Sequence, residues 1–429
     1  MADVRPFPKK KREPPPPPPG GWPAWHQRLA RDGSGRIIAD LDNVLVALRG
    51  EEKLQFAVAF NEMMQHSIVT RSWPRVEEAD PPAKPIPHEV DDNDVSSLQQ
   101  WLQRMGIRRI GREIVGQAIE HFAHERPQHP IRDYLDGLDW DGKPRLDRWL
   151  FTYLGACAET ETQIDYVRAI GKMFLIAMVA RIYSPGCQAD YMLVLEGEQG
   201  ILKSTACRKL AGDAWFSDCL PENITSKDAR QHLRGKWLME VSELAAFSKA
   251  EVEALKAFIT RREEKYRPPF GRHDVAEKRQ CLFVGTTNQD VYIKDATGGR
   301  RFWPIRCTAI DVVGLEQARD HLFAEAVIAY RKHEPHWPDA EFERSHFRPQ
   351  QIRRQEDDPW HTVIEQGLHI RTQWTVAQIA NEILGFDGVS RVGTHDSLRI
   401  RNVLKELGFE QERTAKGRFY SRRMTDDRH

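Results

Sequence analysis

The residues best suited to chemistry lie in Tyr191 to Thr205, YMLVLEGEQGILKST. An apolar run, Tyr191 to Leu195, leads into Gly197, Glu198, Gln199, Gly200, Ile201, Leu202, Lys203, Ser204 and Thr205. A strand, a glycine-bearing turn and Lys-Ser-Thr before a helix make a phosphate-binding loop. Glycines let backbone N–H groups turn in around phosphate oxygens, and the helix start adds partial positive charge. Lys203 would reach the β- and γ-phosphates of ATP, and Ser204 would hold Mg²⁺. Leu202 stands where this motif usually has its second glycine. A negative φ would make that departure tolerable, with Gly200 supplying the turn.

A phosphate-loop ATPase also needs an acid at the tip of a neighbouring strand. The run KWLMEVSE, Lys236 to Glu243, offers two. Glu243 stands where the strand should end and is the expected catalytic acid. Glu240 lies three residues earlier, on the opposite strand face, and reads as a packing or paired residue. Both are carried as metal candidates with Ser204. A third apolar run, Cys281 to Val284, enters Gly285-Thr286-Thr287-Asn288. An amide at a strand end can sense the γ-phosphate and orient water, although asparagine also favours plain turns. Arg300 and Arg301 follow on a glycine-flanked loop and suit an arginine finger that reaches a neighbour's nucleotide.

These motifs sit in a fuller pattern. LEGEQGILKST, KWLMEVSEL, KAFITRREEKYRPPFGR, VGTTNQD and DATGGRRFWPI occur in that order between Asp133 and Arg306. Together they resemble the virulence-associated protein E family of phage and prophage replication proteins, which sits with the superfamily 3 helicases among AAA+ ATPases. The resemblance implies an ATP-driven motor on DNA, assembled as a ring, expected to be a hexamer. It matches Lys203 and Ser204 to the Walker A pair, Glu243 to the Walker B acid, Asn288 to the sensor and Arg300 with Arg301 to the finger region. It also implies a pore hairpin between the second and third motifs. There RREEKYRPPFGRHDVAEKR holds seven basic residues against four acids. Lys265, Arg267 and Arg272 would meet phosphates of single-stranded DNA, and Tyr266 and Phe270 would stack on bases.

The elements that must position these groups are legible in outline. The 429 residues allow two or three domains. The fold class expected is α/β, an AAA+ phosphate-loop core with a helical N-terminal region and a C-terminal winged-helix-like domain. Residues 1–21 combine Lys9 to Arg12 with Pro14 to Pro19 and read as a disordered arm. A small subdomain (22–73), a proline-rich linker (74–94) and a helical region (95–185) precede the motor (186–335). A charged connection (336–357) leads to the last domain (358–429). That domain reads as three helices and a basic strand–turn–strand, suited to duplex DNA or to a protein partner.

Bulk properties narrow the rest. Lys+Arg and Asp+Glu are both 63, so nucleic-acid affinity must come from local patches. The longest apolar run, Met173 to Ala180, is too short for a membrane span. No CxxC pair occurs among the six cysteines, which argues for reduced thiols. With no apolar signal core at the start, a cytoplasmic protein is expected. His121, His124 and His129 read as packing or surface histidines, and Asp136, Asp139 and Asp141 as a turn rather than a calcium loop. No primase domain is legible, so a separate primase partner is expected. Two rival functions stay open: a AAA+ ATPase that remodels DNA or protein without unwinding, and a winged-helix regulator with a degenerate ATP site.

Overall fold

The computed structural model describes residues 21–72, 84–220, 224, 226–266, 274–293, 299–355, 359–387, 392–414 and 417–422. Nearly all of the basic arm, the centre of the proline-rich linker, and Arg267, Phe270 and Arg272 fall outside them. The chain divides into two compact units, 1–290 with 300–351, and 291–299 with 352–429.

The first unit begins with an N-terminal body. Helix α1 (Leu41–Gly50) starts at Asp40, whose side chain accepts from the Asn43 N–H. Strands β1 (Val58–Asn61) and β2 (His66–Val69) pair antiparallel. Strand β3 (His88–Glu89) adds to β2. Helices α2 (Asp92–Arg104) and α3 (Arg112–His124) follow, and β4 (Pro127–Gln128) runs parallel to β1. Asp91 and Asp94 form a capping box at the head of α2. One core joins Trp25, Val44, Leu48 and Val58 to Leu98, Leu102, Ile119 and Phe122. The expected break between a 22–73 subdomain and helices from 95 is therefore corrected. The apolar faces of α1 and β1 have too few partners in their own segment, and α2 and α3 cover them. Residues 88–89 are strand, not linker.

After α4 (Pro130–Asp136) and α5 (Trp149–Leu154) comes α6 (Glu161–Tyr183). A capping box of Thr160 and Gln163 starts α6. Its second half, from Ile170 to Ile182, is buried almost all round rather than along one face. A five-stranded sheet carries the motifs: β5 (Met192–Glu196), β6 (Phe216–Ser217), β7 (Leu238–Val241), β10 (Leu282–Thr287) and β11 (Phe302–Arg306). The spatial order is β11-β5-β10-β7-β6, all parallel. Between its strands lie α7 (Lys203–Ala211), α8 (Lys227–His232), α9 (Lys249–Ile259) and a separate hairpin, β8 (Glu263–Tyr266) with β9 (Val275–Lys278). Helix α10 (Val312–Arg331) follows β11, capped by the Asp311 carboxylate on the Gly314 N–H at 2.8 Å.

The sheet is covered on both faces, which is why its strands read as apolar runs. Leu193, Leu195, Val284, Trp303 and Ile305 share a core with α6, α7 and α10. On the other face Phe258 of α9 meets Phe283 edge-on, ring centroids 5.5 Å apart. Burying each such side chain contributes roughly 1.5–3 kcal/mol.

The second unit holds α11 (Pro359–Gly367), β12 (Gln373–Trp374), α12 (Val376–Gln378, continued by a π turn to Ile383), α13 (Thr394–Glu406), β13 (Phe409–Thr414) and β14 (Gly417–Arg422). Its sheet order is β12-β14-β13, antiparallel. Ile364, Trp374, Ile379, Ile400, Leu404 and Tyr420 make its core. Strand β12 is an element the sequence pattern did not predict. Tyr292 and Ile293 belong here too, both donating backbone N–H bonds to the Arg354 carbonyl. Among the described residues no helix is long and apolar enough to cross a membrane.

Candidate functional site

All five residues of β5 are buried, and the strand delivers the chain to the sheet's C-terminal rim. Gly197 has φ +151°, and a β-carbon there would lie 2.6 Å from the Cys307 carbonyl oxygen. Only glycine fits that approach. Gly200, at φ +87° with open space around it, turns the loop. Glu198 and Gln199 are exposed, and Ile201 folds back toward Gly197. Leu202 has φ +71° and ψ 29° and is 51 % exposed. The condition under which leucine would be tolerated there, a negative φ, is thus not met. The chain needs a left-handed residue to enter α7, and a leucine there costs roughly 1–2 kcal/mol.

No side chain caps the start of α7, so the first-turn N–H groups around Lys203, Ser204 and Thr205 face the loop unshielded by a cap. Lys203 Nζ donates to the carbonyl oxygens of Gly197 and Glu198, each at 2.8 Å. Partial burial lowers its pKa, while the charges of Glu243 and Glu240 oppose that shift.

Ser204 Oγ donates to Glu240 Oε1 at 2.7 Å. Thr286 Oγ1 donates to the same oxygen, also at 2.7 Å. Glu240 is 1 % exposed, and its Oε2 is buried without a partner. Glu240, expected first as a packing or paired residue and also carried as a metal candidate, thus meets the loop helix directly. Strand β7 is buried on both faces, so alternation does not tell which face is which. Register does: Val284 pairs with both Leu193 and Glu240, which puts Glu240 on the face of α7. Glu243 lies beyond the end of β7, exposed, at φ +53°.

Asn288 is exposed and follows β10 directly. Its predecessor Thr287 pairs with Glu196 and accepts the Gly197 N–H at 3.3 Å. The amide therefore sits on the rim beside the loop. The strand itself runs to Thr287, three residues past the expected end. Arg300 and Arg301 precede β11, whose Phe302 pairs with Met192 at the other end of β5. Five strand steps of ~3.3 Å separate them from the loop of their own chain. The arginine at the loop end is Arg306, in register with Glu196 and paired with Asp290 at 3.2 Å. Sequence reasoning missed Arg306 and Thr286. The signal for Thr286 was a hydroxyl inside an otherwise apolar strand.

The hairpin expected between the motifs is present as β8 and β9. Lys265 is exposed on it and pairs with Glu263 at 3.0 Å. Tyr266 is 4 % exposed, donates to Glu277 at 2.6 Å and lies under Arg234. It pairs with Val275 at the turn end of the two strands, and its ring is packed inward rather than free for a base. Arg279 and Glu264, both buried, pair below it.

The three histidines have separate structural tasks. His121 and His124 face Glu125 and Glu120 along α3, and His129 heads α4 and meets Gln280 at 2.6 Å. Asp141 accepts from the Lys143 N–H and Arg145, as a turn residue does. No group of three or more His, Cys, Asp and Glu side chains that could hold a metal occurs among the described residues. A cation at the loop would therefore rest on Ser204 and one carboxylate, with the remaining positions left to water or phosphate oxygens. The hard oxygen donors and the unpartnered Glu240 Oε2 fit Mg²⁺.

No curated protein matches the chain in sequence. Among solved structures, the A form apo structure of the NrS-1 C terminal region is 14 % identical over 85 % of this chain and 95 % of that one, with a TM-score of 0.44. The apo structure of NrS-1 C terminal region (305-718) is 13 % identical over the same shares, with a TM-score of 0.42. Likeness at that level carries no argument about activity. Residues 135–356 match the virulence-associated protein E-like domain, from α4 through the sheet and α10. That match takes in the phosphate loop, Glu240, Asn288 and Arg306 and spans more than half of the sequence, and the chain belongs to the virulence-associated protein E-like family.

Proposed function

We propose that this chain is an ATP-driven motor on DNA, of the superfamily 3 helicase type within the AAA+ ATPases, serving phage or prophage replication as a ring. The observation that carries the reading is the Ser204–Glu240–Thr286 hydrogen-bonded group beside a glycine-turned loop with a lysine. The strand order supports it, since β10 with its polar tip stands between the loop strand and the acid strand. Mg²⁺ held by Ser204 and Glu240 would neutralise phosphate charge. Lys203 would leave its carbonyl partners for the β- and γ-phosphates. Glu240, or Glu243 beyond it, would accept the proton of the attacking water, and Asn288 would orient that water. The hairpin would hold single-stranded DNA through Lys265 with Arg267, Phe270 and Arg272, and the second unit would hold duplex DNA. The reading implies a hexamer in the cytoplasm working beside a separate primase.

Phosphate release with and without single-stranded DNA tests this. Wild-type turnover should rise with DNA, and Lys203→Ala should lose at least ~100-fold. Turnover that survives in Lys203→Ala refutes the ATPase assignment. A strand-displacement assay on a forked duplex separates a helicase from a motor that remodels without unwinding.

A further inference from the structure

Strand β11 lies at the edge of the five-stranded sheet and buries four of its five residues. The fifth, Arg306, is exposed and level with Glu196, the residue just before the phosphate loop. Neighbouring strands lie ~4.8 Å apart, so the Arg306 backbone stands one strand spacing from the start of the loop. That backbone is held from two sides. The Cys307 N–H donates to the Glu196 carbonyl at 2.8 Å, and the Arg306 carbonyl accepts from the Cys157 N–H at 3.0 Å. The close approach of the Cys307 carbonyl is also what requires glycine at 197. Arg306 is therefore a long exposed fork on a fixed base.

The fork reaches along the rim of the sheet. Arg306 Nη1 pairs with Asp290 Oδ1 at 3.2 Å, and Asp290 lies three residues past the end of β10. Strands β11 and β10 flank β5, so this contact passes the end of β5, where the loop begins. Side chains alternate along a strand. Leu195 packs with Ala206 and Leu210 of α7, so Arg306, level with Glu196, comes from the opposite face. Phosphates in the loop would meet Lys203 from one side and Arg306 from the other. The pair with Asp290 does not hold the fork strongly. Its side chains are 57 % and 73 % exposed, and ion pairs open to water contribute little.

We infer that Arg306 is a contact to the γ-phosphate of its own subunit's nucleotide, and that it exchanges Asp290 for that phosphate. The planar guanidinium matches phosphate oxygens. Asp290 carries the same sign of charge as the incoming phosphate, so the two compete for one fork. Asp290 also lies two residues past Asn288, which puts the fork on the side of the loop where the rim amide stands. Mg²⁺ and one lysine leave a triphosphate partly unneutralised, and a further cation there stabilises the transferring group. The inference rests on the ATPase reading and adds to it an arginine acting in cis, distinct from Arg300 and Arg301 at the far end of the sheet.

The test measures binding of fluorescent ADP and fluorescent ATPγS to the full chain, with phosphate release from ATP alongside. Arg306→Ala should weaken ATPγS about tenfold and leave ADP at wild-type affinity. Its turnover should fall about 100-fold. Arg306→Lys keeps the charge without the fork and should fall between. Asp290→Ala frees the fork and should tighten ATPγS by up to about fivefold, with ADP unmoved. An arginine that only supports the fold would move both nucleotides together. Thermal unfolding checks each variant, and should Arg306→Ala fail to fold, Arg306→Lys and Asp290→Ala still decide. Mixing Arg306→Ala with Lys203→Ala chains should recover no turnover, and recovery would overturn the placement in cis. A wild-type chain that binds neither nucleotide refutes the ATPase reading and this inference with it. A wild-type chain that binds both, with Arg306→Ala unchanged or equally weakened on both, overturns the inference alone.

Discussion

Ser204 Oγ donates a 2.7 Å hydrogen bond to Glu240 Oε1, joining the first turn of α7 to a strand two places away from β5. Thr286, on the strand between them, donates to the same oxygen. One buried carboxylate oxygen thus ties the phosphate-loop helix to two strands, while the other oxygen has no partner. A buried unpaired acceptor costs about 1–3 kcal/mol, which a ligand supplying a donor or cation would recover.

That placement separates the two acids. Glu240→Gln should keep nucleotide binding and lose at least ~100-fold in turnover, the usual worth of a positioned base. Glu243→Gln, exposed beyond the strand, should lose less. Parallel measurements of ATP-analogue binding and phosphate release check this. A reversed order of the two losses would return the catalytic role to Glu243.

Leu202 occupies a left-handed conformation with half its surface exposed. Leu202→Gly should relieve roughly 1–2 kcal/mol of backbone strain and give back about 0.4–1 kcal/mol through the freer unfolded chain. A small net gain in stability is expected. Leu202→Ala keeps a β-carbon and should show no gain. Chemical denaturation of both variants decides, and equal stability of the two would mean that φ is not the cost.

Arg300 and Arg301 stand at the far end of the sheet from their own loop. If they act, they act on another subunit's nucleotide. An Arg300→Ala/Arg301→Ala chain mixed with a Lys203→Ala chain should recover part of the missing turnover. Co-assembly without recovery would assign the pair a structural role.

Glu264 is buried against Arg279 at the hairpin root. Glu264→Ala leaves the guanidinium on the Phe258 and Ile259 carbonyl oxygens and the Phe258 and Phe283 rings without its carboxylate, and removing one partner of a buried pair costs ~3–5 kcal/mol. The unfolding midpoint of the first unit should fall accordingly. Lys265→Ala, one residue along and exposed, should leave it unchanged.

Burial pushes the Cys307 thiol up to about 12. A raised thiol pKa keeps the group protonated through neutral pH, and the thiolate is the reactive form. Iodoacetamide at pH 8 should therefore modify exposed Cys157 and leave Cys307 untouched until the protein unfolds. Mass spectrometry of the digested protein reads both sites.

The local units were legible from neighbouring residues alone. Tyr191 to Thr205 showed the strand, the loop and the helix start, because an apolar run, two glycines and Lys-Ser-Thr each act within a few residues. The apolar Lys236–Glu243 and Cys281–Val284 runs showed two more strands, and the last domain's helices and hairpin were readable from periodicity and turns. Tertiary structure decided what those units face. Strand β7 is buried on both sides, so only its pairing with β10 could reveal that Glu240, not Glu243, meets Ser204. The same pairing brings in Thr286, and the pairing of β11 with β5 puts Arg306 at the loop. The core shared by α1, β1, α2 and α3 crosses a proline-rich segment that composition marks as a break. Register and shared cores come from contacts distant in the chain, and a pattern of neighbouring residues carries no record of which distant surface it will meet.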